Sequence, residues 1–195
     1  MSGLSICLFC GSRTGASAIF AEQVQKFCSL LAQSGGTLIT GGGHVGLMGL
    51  AADAVLAQGG RVIGVIPAAL ADQELAHDGL TKLHIVNSMH ERKALMADLA
   101  DVFVAAPGGI GTLEEFFEVW TWRQLGLHAK PLALLNVSSY YGALLDMLQQ
   151  AKQQDFVDRP TLDLLHVADD AESLWSWAQA LHAPPLHQDR LLSRG

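Results

Sequence analysis

The chain is poor in charge, poor in cysteine and free of long apolar runs. Charged residues make up 16% of its 195 positions, and 12 Lys and Arg are outnumbered by 19 Asp and Glu, for a net charge of −7. A duplex-DNA binder usually carries the opposite balance, so no nucleic acid is expected as a partner. Each apolar stretch is broken by Gly, Pro or charge before the roughly 20 residues a membrane span needs, so no membrane association is expected. No basic segment precedes the first apolar run, Leu4 to Cys10, and no small-residue cleavage signal follows it. That pattern reads as lacking a secretory leader, and a cytoplasmic location is expected. Cysteine is limited to three residues, all before residue 30. Cys7 and Cys10 form a C-x-x-C, which could be a redox or metal pair. With no second pair to complete a zinc site and a strand predicted there, they read better as small core residues.

Half of the chain is hydrophobic and its mean hydropathy is +0.27, enough to bury a large core and to exclude disorder. The length suits one domain, expected over residues 1–182, with a frayed tail from Ala183 that carries Pro184 and Pro185. Strands are predicted at Leu4–Cys10, Thr37–Thr40, Arg61–Ile66, Val102–Ala106 and Pro131–Leu135. Helical patterns lie at Ser17–Ser34, Gly46–Gln58, Met89–Leu99, Thr112–Leu125, Tyr140–Gln153 and Ala171–Leu181. Continuous apolar strands alternating with helices imply an α/β fold, a parallel sheet covered on both faces.

The chain has 20 glycines, and three clusters follow predicted strands: Gly11, then Gly41, Gly42 and Gly43 with Gly46 and Gly49, then Gly108, Gly109 and Gly111. All three fall on the carboxyl edge of the sheet, where α/β proteins bind ligands. Such turns need glycine anyway, but three on one edge favour a phosphate-bearing ligand. Residues 41–46 match G-x-G-x-x-G. A dinucleotide cofactor would also want an acid about 20 positions on, where this chain has Ile66 and Pro67, so none is expected.

Residues 107–115 read Pro-Gly-Gly-Ile-Gly-Thr-Leu-Glu-Glu. A Gly-rich turn opening into a helix presents free N–H groups and a positive dipole end to an anion. Thr112 is expected to cap that helix, and Glu115, three residues later, has capping-box spacing. Glu114 beside it raises the local negative charge and points instead to chemistry. Residues 89–93 read Met-His-Glu-Arg-Lys, after Ser88. Ser88 and Glu91 have the spacing of a capping box. Arg92 and Lys93 then oppose the helix dipole, a locally unfavourable choice of the kind found at functional sites, although solvated surface is the usual fate of both residue types.

Taken together, G-G-G at 41–43 with G-L-M-G at 46–49, M-H-E-R-K at 89–93 and P-G-G-x-G-T-x-x-E at 107–115 resemble the LONELY GUY (LOG) family. Cys10-Gly11-Ser12 and the run from Glu114 to Trp122 also look like family segments, and the resemblance covers about residues 4 to 182. It implies a single-domain Rossmann-like doubly wound sheet, a homodimer, and hydrolysis of the N-glycosidic bond of purine (cytokinin) riboside 5′-monophosphates, AMP included. It implies no metal and no other cofactor. Arg92 and Glu115 match the catalytic pair. Glu74, Lys93, Gly108, Gly109, Ile110, Gly111, Thr112, Leu113, Glu114 and, less securely, Thr121 match substrate-binding positions. Gly11, Ser12, Gly42, Gly43 and Met89 lie in matching segments and are expected to line the site. Ile110 stands where the family often has an aromatic.

A carrier of a phosphorylated cofactor such as molybdopterin is the alternative, since a phosphate loop alone would serve either. The pair Arg92–Glu115 discriminates, because pure binding does not require it. A partner-binding module would leave the loops unexplained. Leu113, Phe116, Phe117, Val119, Trp120, Trp122 and Leu125 cover more than one stripe of their helix, which suggests a subunit interface or deeper burial within one chain. His44 and His90 lie near the proposed site, within reach of a substrate there, although such histidines are more often loop or surface residues.

Overall fold

The computed structural model describes residues 3–71 and 76–182. The chain runs β1 (Ser5–Phe9), α1 (Ala18–Gln33), β2 (Thr37–Thr40), α2 (Gly46–Ala57), β3 (Arg61–Pro67), α3 (Ala68–Ala71), β4 (Lys82–Val86) and α4 (Met89–Leu99). It continues through β5 (Val102–Ala105), α5 (Ile110–Gln124), β6 (Leu132–Leu135), a 3-10 turn (Val137–Ser139), α6 (Gly142–Gln153), α7 (Arg159–Asp163), β7 (Leu165–Ala168) and α8 (Ala171–His182). Among the described residues the strands form one parallel sheet in the order β4-β3-β2-β1-β5-β6-β7. This is the single-domain, Rossmann-like doubly wound architecture expected from the sequence.

The two faces follow from strand periodicity. Ile6 and Leu8 of β1 join a core with Phe27, Leu31, Leu47 and Trp175, under α1, α2 and α8. Cys7 and Phe9 point the other way, into a core with Met96, Phe103, Phe116 and Trp120, under α4 and α5. The central strands β1, β5 and β6 are buried almost throughout, which is why their apolar runs are continuous.

The order reverses at β1, whose neighbours are β2 and β5. At this switch point the loops after β1 and β5 lie side by side. Gly11 N donates to Pro107 O (3.1 Å) and Ala106 N to Phe9 O (2.9 Å). The fold thus brings two of the three glycine clusters into contact.

Several expectations need correction. β4 and β7 were not expected. Both are edge strands whose residues are mostly half-buried or exposed, so neither shows a continuous apolar run. The short helices α3 and α7 were also not read. The helix expected from Tyr140 begins at Gly142, after a distinct turn. The glycine loop at 108–111 accordingly follows the fifth strand, not the fourth. The expected tail, 183–195, lies outside the described residues.

Cys7 is fully buried, Cys10 half-buried, and both are free thiols. Burial and the nearby Glu115 carboxylate push the Cys10 thiol up to about 12, and the same two causes raise Cys7. Cys7 belongs to the core under α4 and α5 and Cys10 packs against the core on the other face of the sheet, the placing of small core residues.

Candidate active site

The N-terminus of α5 is the centre of the site. The helix begins at Ile110 with Gly109 as its N-cap, and no side chain caps it. Thr112 is therefore not the cap; it lies in the first turn and is 5% exposed. The capping-box reading of Glu115 falls with it, because Glu115 sits three positions too far into the helix. The first intrahelical bond there runs from Leu113 N to Gly109 O (3.2 Å). The amides before Leu113 have no acceptor within the helix, and with the positive dipole end they make an anion cradle.

The three glycines of this loop serve different ends. A Cβ on Gly108 would overlap the Thr112 hydroxyl and come 2.8 Å from Gly11 N, so Gly108 is required by packing. Gly109 and Gly111 would meet nothing within 4 Å, so a ligand can approach their backbone. Gly46, which completed the dinucleotide-like pattern, has φ +58 and would press a Cβ into the Ser12 backbone. Its role is close packing of the start of α2 on the loop after β1, whose Gly11 O accepts from Leu47 N (2.9 Å).

A cavity of about 580 Å³ opens beside the cradle, on the α1–α2 side of the sheet. Gly11, Ser12, Arg13, Phe20, Leu47, Pro107 to Ile110 and Tyr140 line it. Ile110 stands 87% exposed on its rim.

Arg92 and Glu115 lie on the α4–α5 side of the same loop. The α4 cap forms as expected: Ser88 Oγ accepts from Glu91 N (3.1 Å), and a Glu91 carboxylate oxygen accepts from Asn87 N (2.9 Å). One turn on, Arg92 is only 6% exposed, so the solvated-surface reading does not hold for it. Its Nη2 donates to Gly41 O (3.2 Å), which ties α4 to the loop after β2. Burial raises the pKa of the Cys7 thiol, the Glu115 charge adds to that rise and the Arg92 charge opposes it.

Lys93 is held between two carboxylates of α5, Glu114 (2.6 Å) and Glu118 (2.9 Å). Burial lowers its pKa, but hydrogen bonds to Glu114 and Glu118 and their charges outweigh this, and the net shift is upward from 10.5. A raised folded pKa contributes stability that is complete below the unfolded value and fades as pH rises through the folded one. Lys93→Met is expected to cost about 0.5–1 kcal/mol at pH 8, as for partly exposed pairs. The deficit should shrink only above about pH 10.5. Urea unfolding of both proteins at pH 8 and pH 11.5 checks this, an undiminished deficit at pH 11.5 being the contrary result.

A family model described as "Possible lysine decarboxylase" matches residues 48–177. A cytokinin riboside 5′-monophosphate phosphoribohydrolase from Rhodococcoides fascians is 47% identical over 169 residues, 86% of this chain and 85% of that protein. The chain belongs to the LOG family. The Arabidopsis thaliana family member LOG3, also named a cytokinin riboside 5′-monophosphate phosphoribohydrolase, is 41% identical over 87% of this chain and 79% of its own. Among solved structures, the molybdenum cofactor binding protein from Rippkaea orientalis superposes with a TM-score of 0.72 at 21% identity, covering 94% of this chain and 99% of its own. The molybdenum cofactor carrier protein from Chlamydomonas reinhardtii gives 0.71 at 21%, covering 93% and 99%. At that identity the likeness is one of fold. The decarboxylase description finds no support in Lys93, whose ammonium is paired with Glu114 and Glu118 instead of standing free as the amine a Schiff base requires.

Not every expected LOG-family position converges here. Gly42 (φ +86) donates its N–H to Thr40 Oγ1 (3.0 Å), and Gly43 is buried beside it. Met89 is 42% exposed, with its sulfur 3.7 Å from Arg92 Nη1. Leu113 packs partly against the α4–α5 core. Thr121 donates its hydroxyl to Phe117 O (2.7 Å) and faces solvent, about 13 Å along α5 from Thr112 at 1.5 Å per residue. Glu74 lies outside the described residues. His44 and His90 are exposed. The sequence reading missed Arg13, Phe20 and Tyr140 in the cavity wall, and Glu118 beside Lys93. Glu118 had a signal, its i+4 spacing from Glu114; so had Tyr140, just beyond the carboxyl end of a strand.

Proposed function

We propose that this protein hydrolyses the N-glycosidic bond of purine riboside 5′-monophosphates, AMP or its N6-modified forms, giving free base and ribose 5-phosphate. The observation that carries the reading is Arg92, buried and held on Gly41 O, together with Glu115 on a helix whose N-terminus is left uncapped, in a chain whose relatives are named for this hydrolysis.

Bond cleavage passes through an oxocarbenium-like ribosyl cation. Glu115 stabilises that cation or activates the attacking water. Arg92 orients the nucleotide and stabilises charge developing on the leaving base. The N–H groups of residues 108–112 grip the 5′-phosphate, with Gly11 and Ser12 alongside. Lys93, Glu114, Met89, Gly42 and Gly43 shape the surroundings of the pair, and Glu74 and Thr121 are further substrate contacts by family resemblance. Purified protein incubated with AMP should release adenine and ribose 5-phosphate; a chromatogram without either speaks against the proposal. The carrier alternative rests on fold alone and leaves Arg92 and Glu115 without work.

A homodimer is part of the same proposal, as is a cytoplasmic location. Among the described residues no helix is long and apolar enough to cross a membrane. Phe116, Val119 and Trp120 are buried within one chain, and Phe117 and Trp122 pack partly against the same core, which accounts for much of the second apolar stripe of α5. Leu125 and Leu127 remain 67% and 70% exposed at its end and would be covered by a second copy. Light scattering at micromolar concentration should give the mass of two chains, a single-chain mass being the adverse result.

A further inference from the structure

We propose that Tyr140 and Tyr141 are positioning residues that brace the phosphate loop and prevent the peptide between Gly108 and Gly109 from flipping. The inference rests on the hydrolase reading above. It concerns neither the catalytic pair nor the loop's own amides, but the turn that holds the loop in place.

β6 is the sheet neighbour of β5, so the turn after β6 runs beside the loop after β5. Tyr141 Oη donates to Ala106 O (2.7 Å) and Tyr140 Oη donates to Gly108 O (2.5 Å). Two successive tyrosines therefore take two carbonyls, one on each side of Pro107. Tyr141 is 2% exposed, and burial keeps its phenol protonated and a donor.

The turn is built for this aim. Ser138 and Ser139 have φ 51 and 57, two consecutive left-handed residues that are not glycine. Such backbone persists only where the surroundings impose it, and it gathers at functional sites. The buried Asn136 imposes it here: its Oδ1 accepts from Tyr141 N (2.8 Å) and its Nδ2 donates to Asp169 Oδ1 (3.3 Å). The two tyrosine rings meet edge-on at 4.9 Å, and Tyr140 meets Phe20 of α1 at 5.7 Å.

The chemical need follows from peptide geometry. In a trans peptide the C=O and the following N–H point in opposite directions. Fixing Gly108 O on Tyr140 therefore fixes the direction of Gly109 N–H. With glycine on both sides this peptide could rotate cheaply. A flipped unit would turn a carbonyl dipole toward the phosphate in place of a donor. Pro107 offers no N–H, so the Ala106 bond from Tyr141 is purely an anchor.

The test uses Tyr140→Phe in the full chain, which keeps the ring contacts with Phe20 and Tyr141 and removes only the hydroxyl. In the ligand-free protein, 15N relaxation dispersion at Gly109 should be flat for wild type and show microsecond–millisecond exchange for the variant. With AMP, KM should rise about tenfold, the scale of one lost hydrogen bond, while kcat stays within about threefold. A variant matching wild type in both readouts overturns the brace. A raised KM with a quiet Gly109 overturns it too, because Tyr140 would then act on the nucleotide directly. Exchange at Gly109 with an unchanged KM overturns the positioning role. If wild type releases no adenine from AMP, the hydrolase reading fails, and the dispersion arm alone decides whether Tyr140 holds the loop.

Discussion

Replacing Glu115 with Gln should lower kcat for AMP at least about 100-fold while the fold survives, on the scale of acid–base contributions. The expectation depends on where Glu115 sits. Had α5 begun at Thr112, Glu115 would have been a capping partner, and its loss would have shown in stability. With Gly109 as the N-cap, the residue lies beyond the first turn and caps nothing. Burial raises the pKa of Cys7 and Cys10, and the Glu115 charge adds to both shifts. Gln keeps the volume and polar reach but carries no charge to stabilise a ribosyl cation and no basicity to activate water. Steady-state kinetics with AMP, beside circular dichroism and thermal melting, separate chemistry from stability. Near-normal kcat would remove Glu115 from the mechanism.

A second large effect is expected from a residue given no part in the chemistry. A Cβ on Gly41 would overlap Arg92 Nη2 and lie 3.1 Å from Arg92 Cζ. Gly41 does not need positive φ, so alanine strains no backbone there. What must yield is the end of the Arg92 side chain, and a displacement of about 1 Å in a positioning group can cost about 100-fold in rate. Gly41→Ala should therefore lower kcat/KM for AMP by about that factor with an unchanged circular dichroism spectrum. Activity within twofold of wild type would show that Arg92 tolerates the shift and does not orient the nucleotide.

The central strands were legible because burial on both faces writes continuous apolar runs, as in Val102–Ala105 and Leu132–Leu135. Lys82–Val86 and Leu165–Ala168 were not, because edge strands are partly wet and carry His and Lys among their apolar residues. The α4 cap at Ser88 was legible because both partners are local. The start of α5 was not: a hydroxyl at the right spacing suggested a cap at Thr112, whereas the chain leaves the cap to Gly109 and so keeps the amides open. The sequence could name Arg92 but not bury it, since burial depends on Gly41, 51 positions away. The turn at Asn136–Tyr141 escaped for the same reason, its hydroxyls meeting carbonyls 32 and 35 residues distant.

The central claim is that a phosphate grip at residues 108–112 delivers the glycosidic bond to Glu115. Binding energy from a remote phosphate raises the rate only if it positions the reacting sugar. The most direct test is kcat/KM for AMP against adenosine with the wild-type protein. The account predicts that AMP exceeds adenosine by at least about 1,000-fold, within the range that well-oriented binding supplies. Equal cleavage of the two would contradict it.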